Sequence, residues 1–248
     1  MTVAGSGPRP APNPEGELES DQWVSSPKTD IYGRVSWQTA EGKLHRVGAP
    51  AVVDPEGTEI WYVHGKLHRE GAPAIANSDG TEEWYLHGKI HRTDGPASTQ
   101  HGVEVWALHG KLHREGAPAL IRPDGSEEWW QDNRPHRTDG PAATNSDGRV
   151  EWWADGQRHR DDGPAVTWPD GTQEWYLHNH RHRENGPAAI HPDGTEEWWE
   201  DGELHRINGP AATNPDGTLE WHEHDVRKLP EVETALTMVW RARTPGDV

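Results

Sequence analysis

The feature that most limits what this chain can fold into is a His-Arg pair, followed four residues after the Arg by Pro-Ala, that recurs at a fixed spacing. We call it the His-Arg phrase. The stretch HGKLHREGAPA at residues 64–74, for example, returns at residues 109–119. A fixed period of this length is typical of a repeat array, in which each unit packs against its neighbours. The His occurs eight times, with steps of 23 residues and one of 22, at His45, His68, His91, His113, His136, His159, His182 and His205.

Turn signals divide each repeat into short extended segments. The stretch SDGTEEWYLHG at residues 78–88 places an Asp-Gly turn before a run of β-forming residues and a second turn after it, which is typical of β-hairpins. The last position of the second turn is always Gly or Asn in the first seven copies, as at Gly65 and Asn133, which indicates a backbone with positive φ. Proline after each His-Arg pair interrupts the strand pattern again.

These marks predict an all-β fold, an elongated solenoid-like stack of about eight 23-residue β-hairpin repeats with a short terminal capping element. We expect the array to cover residues 31–225, with two strands per repeat, Ala72–Asn77 and Thr81–Leu86 in the second copy. Residues 1–30 are rich in Pro and Gly and predict an extended arm. Residues 226–248 predict a capping segment, for which we favour a short helix over a strand.

Tryptophan is the main source of apolar area in this chain. Only 31% of the residues are hydrophobic, yet 15 are Trp and none is Phe. One Trp follows the first turn of every repeat by four residues, and we expect this Trp column to form the core. Its members in seven repeats are Trp61, Trp84, Trp106, Trp129, Trp152, Trp175 and Trp198.

The residue after each of these Trp should point to the opposite face of the sheet. It is usually aromatic, and this second aromatic column is the best candidate for a binding stripe, either covered by the connecting segments or open to a ligand. Its aromatic members are Tyr62, Tyr85, Trp130, Trp153, Tyr176 and Trp199.

The His-Arg phrase itself is interpreted as a structural ladder. We expect the His side chains to be buried hydrogen-bonding groups, and the Arg side chains to pair with backbone carbonyls and with the carboxylate before Trp, as in Glu83 and Glu128. The ladder residues are His68, Arg69, His91, Arg92, His113, Arg114, His136, Arg137, His159 and Arg160.

Metal and cofactor chemistry is not predicted. Equivalent His in successive repeats should lie about 10 Å apart, two strand spacings, whereas two ligands of one zinc each need a bond of about 2 Å. Local groups such as His178, His180 and His182, or His222 and His224, offer at most adventitious metal affinity. No Cys and no nucleophile or phosphate-binding motif is present, so we predict that the protein is not an enzyme.

The charge balance limits the class of partner. A formal net charge of −18 should repel nucleic acid and anionic lipid, so neither is predicted to bind. The first 20 residues contain no apolar segment typical of a signal peptide, and no apolar run is long enough to cross a membrane. These features predict a cytoplasmic protein, or a virion-associated one if its origin is a phage.

Repeats that carry W-Y-x-x-G-K-x-H together with H-R-x-D-G-P-A resemble MORN-type repeats, in particular a divergent bacterial and phage variant. The second motif occurs at residues 91–97 and 136–142, and the resemblance covers roughly residues 33–225. This chain has Arg where the better-known MORN pattern has Gly after the His, and Glu-Glu-Trp where that pattern opens with Tyr-x-Gly-x-Trp. The resemblance implies a β-hairpin scaffold for protein association without catalytic chemistry.

Three functions remain open at this point. We favour a non-enzymatic repeat scaffold that mediates protein–protein association or self-assembly. A structural or accessory component of a phage or similar assembly is the second, and a carbohydrate-binding module that uses the second aromatic column is the third.

Overall fold

The computed structural model describes residues 23–228, and within this range every regular element of more than one residue is a β-strand. The chain divides between His113 and Arg114 into two compact units. Both are open, solenoid-like stacks of antiparallel hairpins, so the all-β fold class predicted from the repeats is confirmed. No helix among the described residues has the length and apolar character needed to span a membrane.

The first unit contains fourteen strands. Eight of them form its main sheet, in the spatial order β1-β2-β3-β4-β7-β8-β11-β12, and the other six form three small hairpins. The strands are Ser25–Thr29 (β1), Val35–Thr39 (β2), Val52–Val53 (β3), Glu59–Ile60 (β4), Tyr62–Val63 (β5), Lys66–Leu67 (β6), Ile75–Ala76 (β7), Glu82–Glu83 (β8), Tyr85–Leu86 (β9), Lys89–Ile90 (β10), Ser98–Gln100 (β11), Val103–Val105 (β12), Ala107–Leu108 (β13) and Lys111–Leu112 (β14).

The second unit contains twenty strands with the same alternation. Its main sheet has the order β15-β16-β19-β20-β23-β24-β27-β28-β31-β32, and five small hairpins accompany it. The strands are Leu120–Ile121 (β15), Glu127–Glu128 (β16), Trp130–Gln131 (β17), Arg134–Pro135 (β18), Ala143–Thr144 (β19), Val150–Glu151 (β20), Trp153–Ala154 (β21), Gln157–Arg158 (β22), Val166–Thr167 (β23), Gln173–Glu174 (β24), Tyr176–Leu177 (β25), His180–Arg181 (β26), Ala189–Ile190 (β27), Glu196–Glu197 (β28), Trp199–Glu200 (β29), Glu203–Leu204 (β30), Ala212–Thr213 (β31), Leu219–Glu220 (β32), His222–Glu223 (β33) and Val226–Arg227 (β34).

A typical repeat has four short strands, so the prediction of two strands per repeat is wrong. In the second copy, β7 and β8 form a hairpin of the main sheet, and β9 and β10 form a second hairpin in a separate two-stranded sheet. Trp84 lies between β8 and β9, where the chain leaves one sheet for the other. The predicted strand Thr81–Leu86 therefore breaks at its Trp.

The second hairpin closes through a turn in which both central residues have positive φ. Gly65 has a φ of 73°, as the Gly-or-Asn pattern predicts, but the preceding His64 also has a positive φ, of 51°. Two positive φ angles define a type I′ turn, whose twist matches that of paired strands. At equivalent turns the first residue is always His or Asp, as at His87 and Asp155.

The core of the described residues is built mainly from small side chains rather than from Trp. The Ala that follows the repeated Pro is fully buried, with 0% exposure, in all eight copies: Ala51, Ala74, Ala97, Ala119, Ala142, Ala165, Ala188 and Ala211. Ala74, for example, joins two repeats, since its N–H donates to Glu83 and its carbonyl accepts from Trp61 of the preceding repeat. The members of the Trp column are only half-buried, so the prediction that they form the core is wrong.

Replacing a core alanine should test this packing. We expect Ala142→Leu to lower the free energy of unfolding by about 1–3 kcal/mol, because three added carbons must fit a site with 0% exposure. The neighbouring Ala143 is half-buried, and Ala143→Leu should cost clearly less. Denaturant unfolding measures both variants, and equal losses would contradict an alanine core.

The predicted boundaries of the array shift by a few residues at both ends. Ser25–Thr29 forms an edge strand paired with Val35–Thr39, whereas the sequence predicts that it belongs to the arm. Val226–Arg227 pairs with His222–Glu223 and so completes a hairpin beyond the predicted end at residue 225. Residues 1–22 and 229–248, which hold the rest of the arm and the predicted helical cap, lie outside the described residues.

Candidate binding surface

The Arg of the His-Arg phrase places its guanidinium over the Trp ring of its own repeat. In the fifth phrase, the guanidinium carbon of Arg137 is 3.9 Å from the centre of the Trp129 ring. Such a stack combines cation–π attraction with van der Waals contact. Seven pairs have this geometry, at 3.6–3.9 Å: Arg46–Trp37, Arg69–Trp61, Arg92–Trp84, Arg137–Trp129, Arg160–Trp152, Arg183–Trp175 and Arg206–Trp198.

The same guanidinium also forms a hydrogen bond with the backbone of the Pro-Ala loop. Arg137 Nη1 donates to the carbonyl oxygen of Pro141 at 3.3 Å. The equivalent bond is present in the other seven phrases, at 3.0–3.3 Å. Where the loop reads Asp-Gly-Pro, Nε also donates to the Asp, as Arg137 does to Asp139 at 2.8 Å. A Cβ on Gly140 would lie 2.6 Å from the Arg137 guanidinium carbon, which explains the Gly in this form of the loop.

The predicted bond between these Arg and the carboxylate before Trp is wrong. Those carboxylates have other partners: Glu128 lies 2.7 Å from Arg122, Glu151 lies 3.0 Å from Arg158, and Glu83 accepts from Tyr85 at 2.9 Å. The guanidinium of Arg137 instead contacts the Trp129 ring and the Pro141 carbonyl.

The His of the phrase joins its repeat to the next one. His136 Nδ1 accepts the backbone N–H of Asp155, 19 residues further on, at 3.1 Å. This bond requires an unprotonated Nδ1, so the neutral ring carries its proton on Nε2. Seven His acceptors make the bond at 2.9–3.3 Å: His45, His68, His91, His136, His159, His182 and His205.

The donor of this bond is the first residue of the type I′ turn, and its side chain is His or Asp. Where it is His, the two imidazoles pack together, as His91 and His109 do with ring centres 4.4 Å apart. Where it is Asp, a carboxylate approaches the same nitrogen, as Asp155 Oδ1 does at 3.1 Å from His136 Nδ1. Sequence reasoning missed this contact, although the alternation of His and Asp at the turn was a visible signal.

The second aromatic column is half-buried and interleaved with charged side chains. The Tyr85 hydroxyl donates to Glu83 at 2.9 Å. Burial is the main cause that raises the pKa of Tyr85 to about 12, and the hydrogen bond to the Glu83 carboxylate is the second. The indole N–H of Trp130 donates to Glu128 at 2.9 Å. The guanidinium carbon of Arg158 lies 5.1 Å from the Trp153 ring centre. The stripe is therefore neither fully covered nor an open apolar surface.

Grooves open between successive His-Arg loops of the second unit. One groove of about 460 Å³ lies between the loop at Arg160–Gly163 and the loop at His182–Asn185, with Trp175 and Tyr176 between them. A corresponding groove of about 530 Å³ lies one repeat further on and is lined by Trp198 and Trp199. Tyr176 and Trp199 of the predicted binding stripe thus line equivalent positions in the two grooves.

One group of metal-binding residue types comes together among residues 23–228. Ligand atoms of Glu200, His205 and His224 lie within 4.8 Å of one another. His205 Nδ1 already accepts the amide of His224 at 3.2 Å, and its Nε2 lies 3.1 Å from Glu200. A metal on Nε2 would require a proton on Nδ1, which would then face the amide N–H. The predicted cluster of His178, His180 and His182 does not form, because His178 contacts His159 and His182 binds Asp201.

Together these features define a β-hairpin repeat protein with two equivalent grooves at successive repeats of its second unit. No protein-family model matches the chain, and a comparison with curated proteins also finds no match.

Proposed function

We propose that this protein is a non-enzymatic scaffold that associates with a protein partner along its row of His-Arg loops. The observation that carries the proposal is a pair of grooves at two successive repeat interfaces of the second unit, lined by corresponding residues. Two equivalent shallow grooves suit an extended partner that makes the same contact in each of them. The encounter takes place in the cytoplasm, or in a virion if the protein belongs to a phage.

The rims of the loops indicate the charge of that partner. The residue after the His-Arg pair is an exposed carboxylate in four of the eight copies, Glu70, Glu115, Asp161 and Glu184. The whole chain also has a net charge of −18. Complementary charge speeds association and rejects wrong partners, so we infer a partner segment that carries Lys or Arg.

The spacing of the grooves favours an extended conformation for the partner. Each repeat adds two strands to the main sheet, which corresponds to about 9.6 Å. One turn of a polyproline II helix contains three residues and advances about 9.3 Å. A peptide of this conformation can place an equivalent side chain in each groove, and aromatic-lined grooves are the usual receptors for such peptides.

A labelled peptide of repeating Pro-Pro-Arg triplets tests the proposal by fluorescence anisotropy. We expect it to bind the intact protein and to lose about tenfold in affinity, or 1.4 kcal/mol, when Asp161→Lys and Glu184→Lys are combined. The control combines Glu127→Lys and Glu196→Lys, which makes the same charge change on exposed main-sheet positions. Equal losses in both double variants, or no binding to the intact protein, would contradict a groove-specific site.

Carbohydrate binding is the second candidate, because Tyr176 and Trp199 line the grooves beside Asn185 and Asn208. Oligosaccharides that displace the peptide, with loss of that displacement on Trp199→Ala, would favour this function over protein association.

A further inference from the structure

Two repeats share the same loop sequence, His-Arg-Thr-Asp-Gly-Pro-Ala. The His of this sequence faces a different residue type in each of the two repeats. His91 meets His109 of the next repeat, whereas His136 meets Asp155. The two facing residues have nearly the same backbone, with φ values of 51° and 49°. The pair of sites is therefore a matched comparison within one protein.

At the first site, an added proton would break the contact between repeats. His91 Nδ1 accepts the His109 amide at 3.1 Å, and the two rings are 4.4 Å apart. A protonated Nδ1 would point an N–H at another N–H, and it would place a positive charge beside the imidazole of His109. Burial, and after it the neighbouring His109, lower the pKa of His91.

At the second site, a carboxylate lies close enough to accept a hydrogen bond from a protonated Nδ1. His136 Nδ1 accepts the Asp155 amide at 3.1 Å, and Asp155 Oδ1 lies at 3.1 Å from the same nitrogen. When the ring becomes positively charged, the lost amide contact is replaced by a charge-assisted bond to Asp155.

The other charged groups near the imidazoles of His91 and His136 are equivalent at the two sites. The side chain of Lys89 packs beside Gly110 in the turn that faces His91, and Arg134 packs beside Gly156 in the turn that faces His136. The Arg next to each imidazole binds the Asp of its own loop, Asp94 at 2.9 Å and Asp139 at 2.8 Å.

We propose that the array contains two classes of repeat interface, one that acid loosens and one that acid leaves intact. The first class has His in the facing turn, as at His91, and the second has Asp, as at His136. His205 belongs to neither class, because it faces His224 but its Nε2 lies 3.1 Å from Glu200. His45–His64 and His68–His87 share the first arrangement, and His182–Asp201 shares the second. Mild acid therefore weakens the interfaces of the first class and leaves those of the second class intact.

The direction of the effect follows from proton linkage. Because the pKa of His91 is lowered in the folded protein, the unfolded chain binds the proton more readily. The contribution of His91 to stability is complete above the unfolded value of about 6.5 and declines as the pH falls through it toward the folded value.

Exchanging the two facing residues tests the proposal. The measured quantity is the fall in the thermal unfolding midpoint between pH 7.5 and pH 5.5. We expect the fall to be smaller by roughly 2–4 °C in His109→Asp and larger by a similar amount in Asp155→His, relative to the unchanged protein. Both exchanges keep a residue that the array itself uses at positive φ, so they should preserve the turn.

Nitrogen-15 NMR of the unchanged protein gives a second reading that needs no variant. We expect Nδ1 of His91 to be unprotonated at pH 7.5 and the pKa of His91 to lie below the ordinary histidine value of 6.5. The same fall in midpoint for all three proteins, or a proton on Nδ1 of His91 at pH 7.5, would overturn the proposal.

Discussion

Arg137→Ala should lower the free energy of unfolding by about 2–4 kcal/mol. The substitution removes the stack on Trp129 at 3.9 Å and the bond to the Pro141 carbonyl at 3.3 Å, and leaves that carbonyl without its donor. It also removes the bond to Asp139. The Arg137 side chain is only 25% exposed, so water replaces these contacts poorly.

Two further variants separate the geometry of Arg137 from its charge. Arg137→Lys should recover little, since an ammonium cannot stack flat on indole and donate to two oxygens at fixed angles. Arg134→Ala removes the same charge from an exposed position of the neighbouring hairpin and should cost about 0.5 kcal/mol or less. Full recovery by Lys would show that charge alone matters at this position.

Trp129→Ala should lower the free energy of unfolding by about 2–4 kcal/mol, below the upper range for a fully buried ring because Trp129 is half-buried. Its loss should not add to that of Arg137→Ala, since the two side chains contact each other. A double-mutant cycle should show a coupling free energy of about 0.5–2 kcal/mol. Strictly additive losses would show that the stack contributes nothing to stability.

The repeat, the all-β class and the positive φ at Gly65 could be read from the sequence because each depends on local chemistry. Gly and Asn at one turn position signal a left-handed backbone directly. The second hairpin of each repeat was missed because its strands are two residues long, as in Tyr85–Leu86, and show no alternation of their own.

The core was misassigned for a related reason. Large rings contribute most apolar area, so Trp was expected inside, yet the fully buried position is the Ala after Pro, as at Ala142. Closely spaced chain segments leave room for a methyl group there, while the Trp ring lies further out beneath Arg. The size of a side chain alone therefore does not predict which position of the repeat is fully buried.

The contacts of the His-Arg phrase could be predicted only in part. The bond from Arg to a backbone carbonyl followed from the Pro break beside it, and the structure has that bond, to Pro141 in the fifth phrase. The partner of His136 lies 19 residues further on, in the turn of another repeat. That contact depends on how the small hairpins align, which no local pattern states.

Hydrogen exchange at one amide tests most directly whether the His-Arg phrase holds adjacent repeats together. The amide of Asp155 donates to His136 Nδ1 at 3.1 Å, so His136→Ala should speed its exchange by about tenfold or more, although the substitution is 19 residues away. The amide of Gly148, which bonds within its own turn to Asn145, should change much less. Unchanged exchange at Asp155 in His136→Ala would contradict the structural role assigned to the phrase.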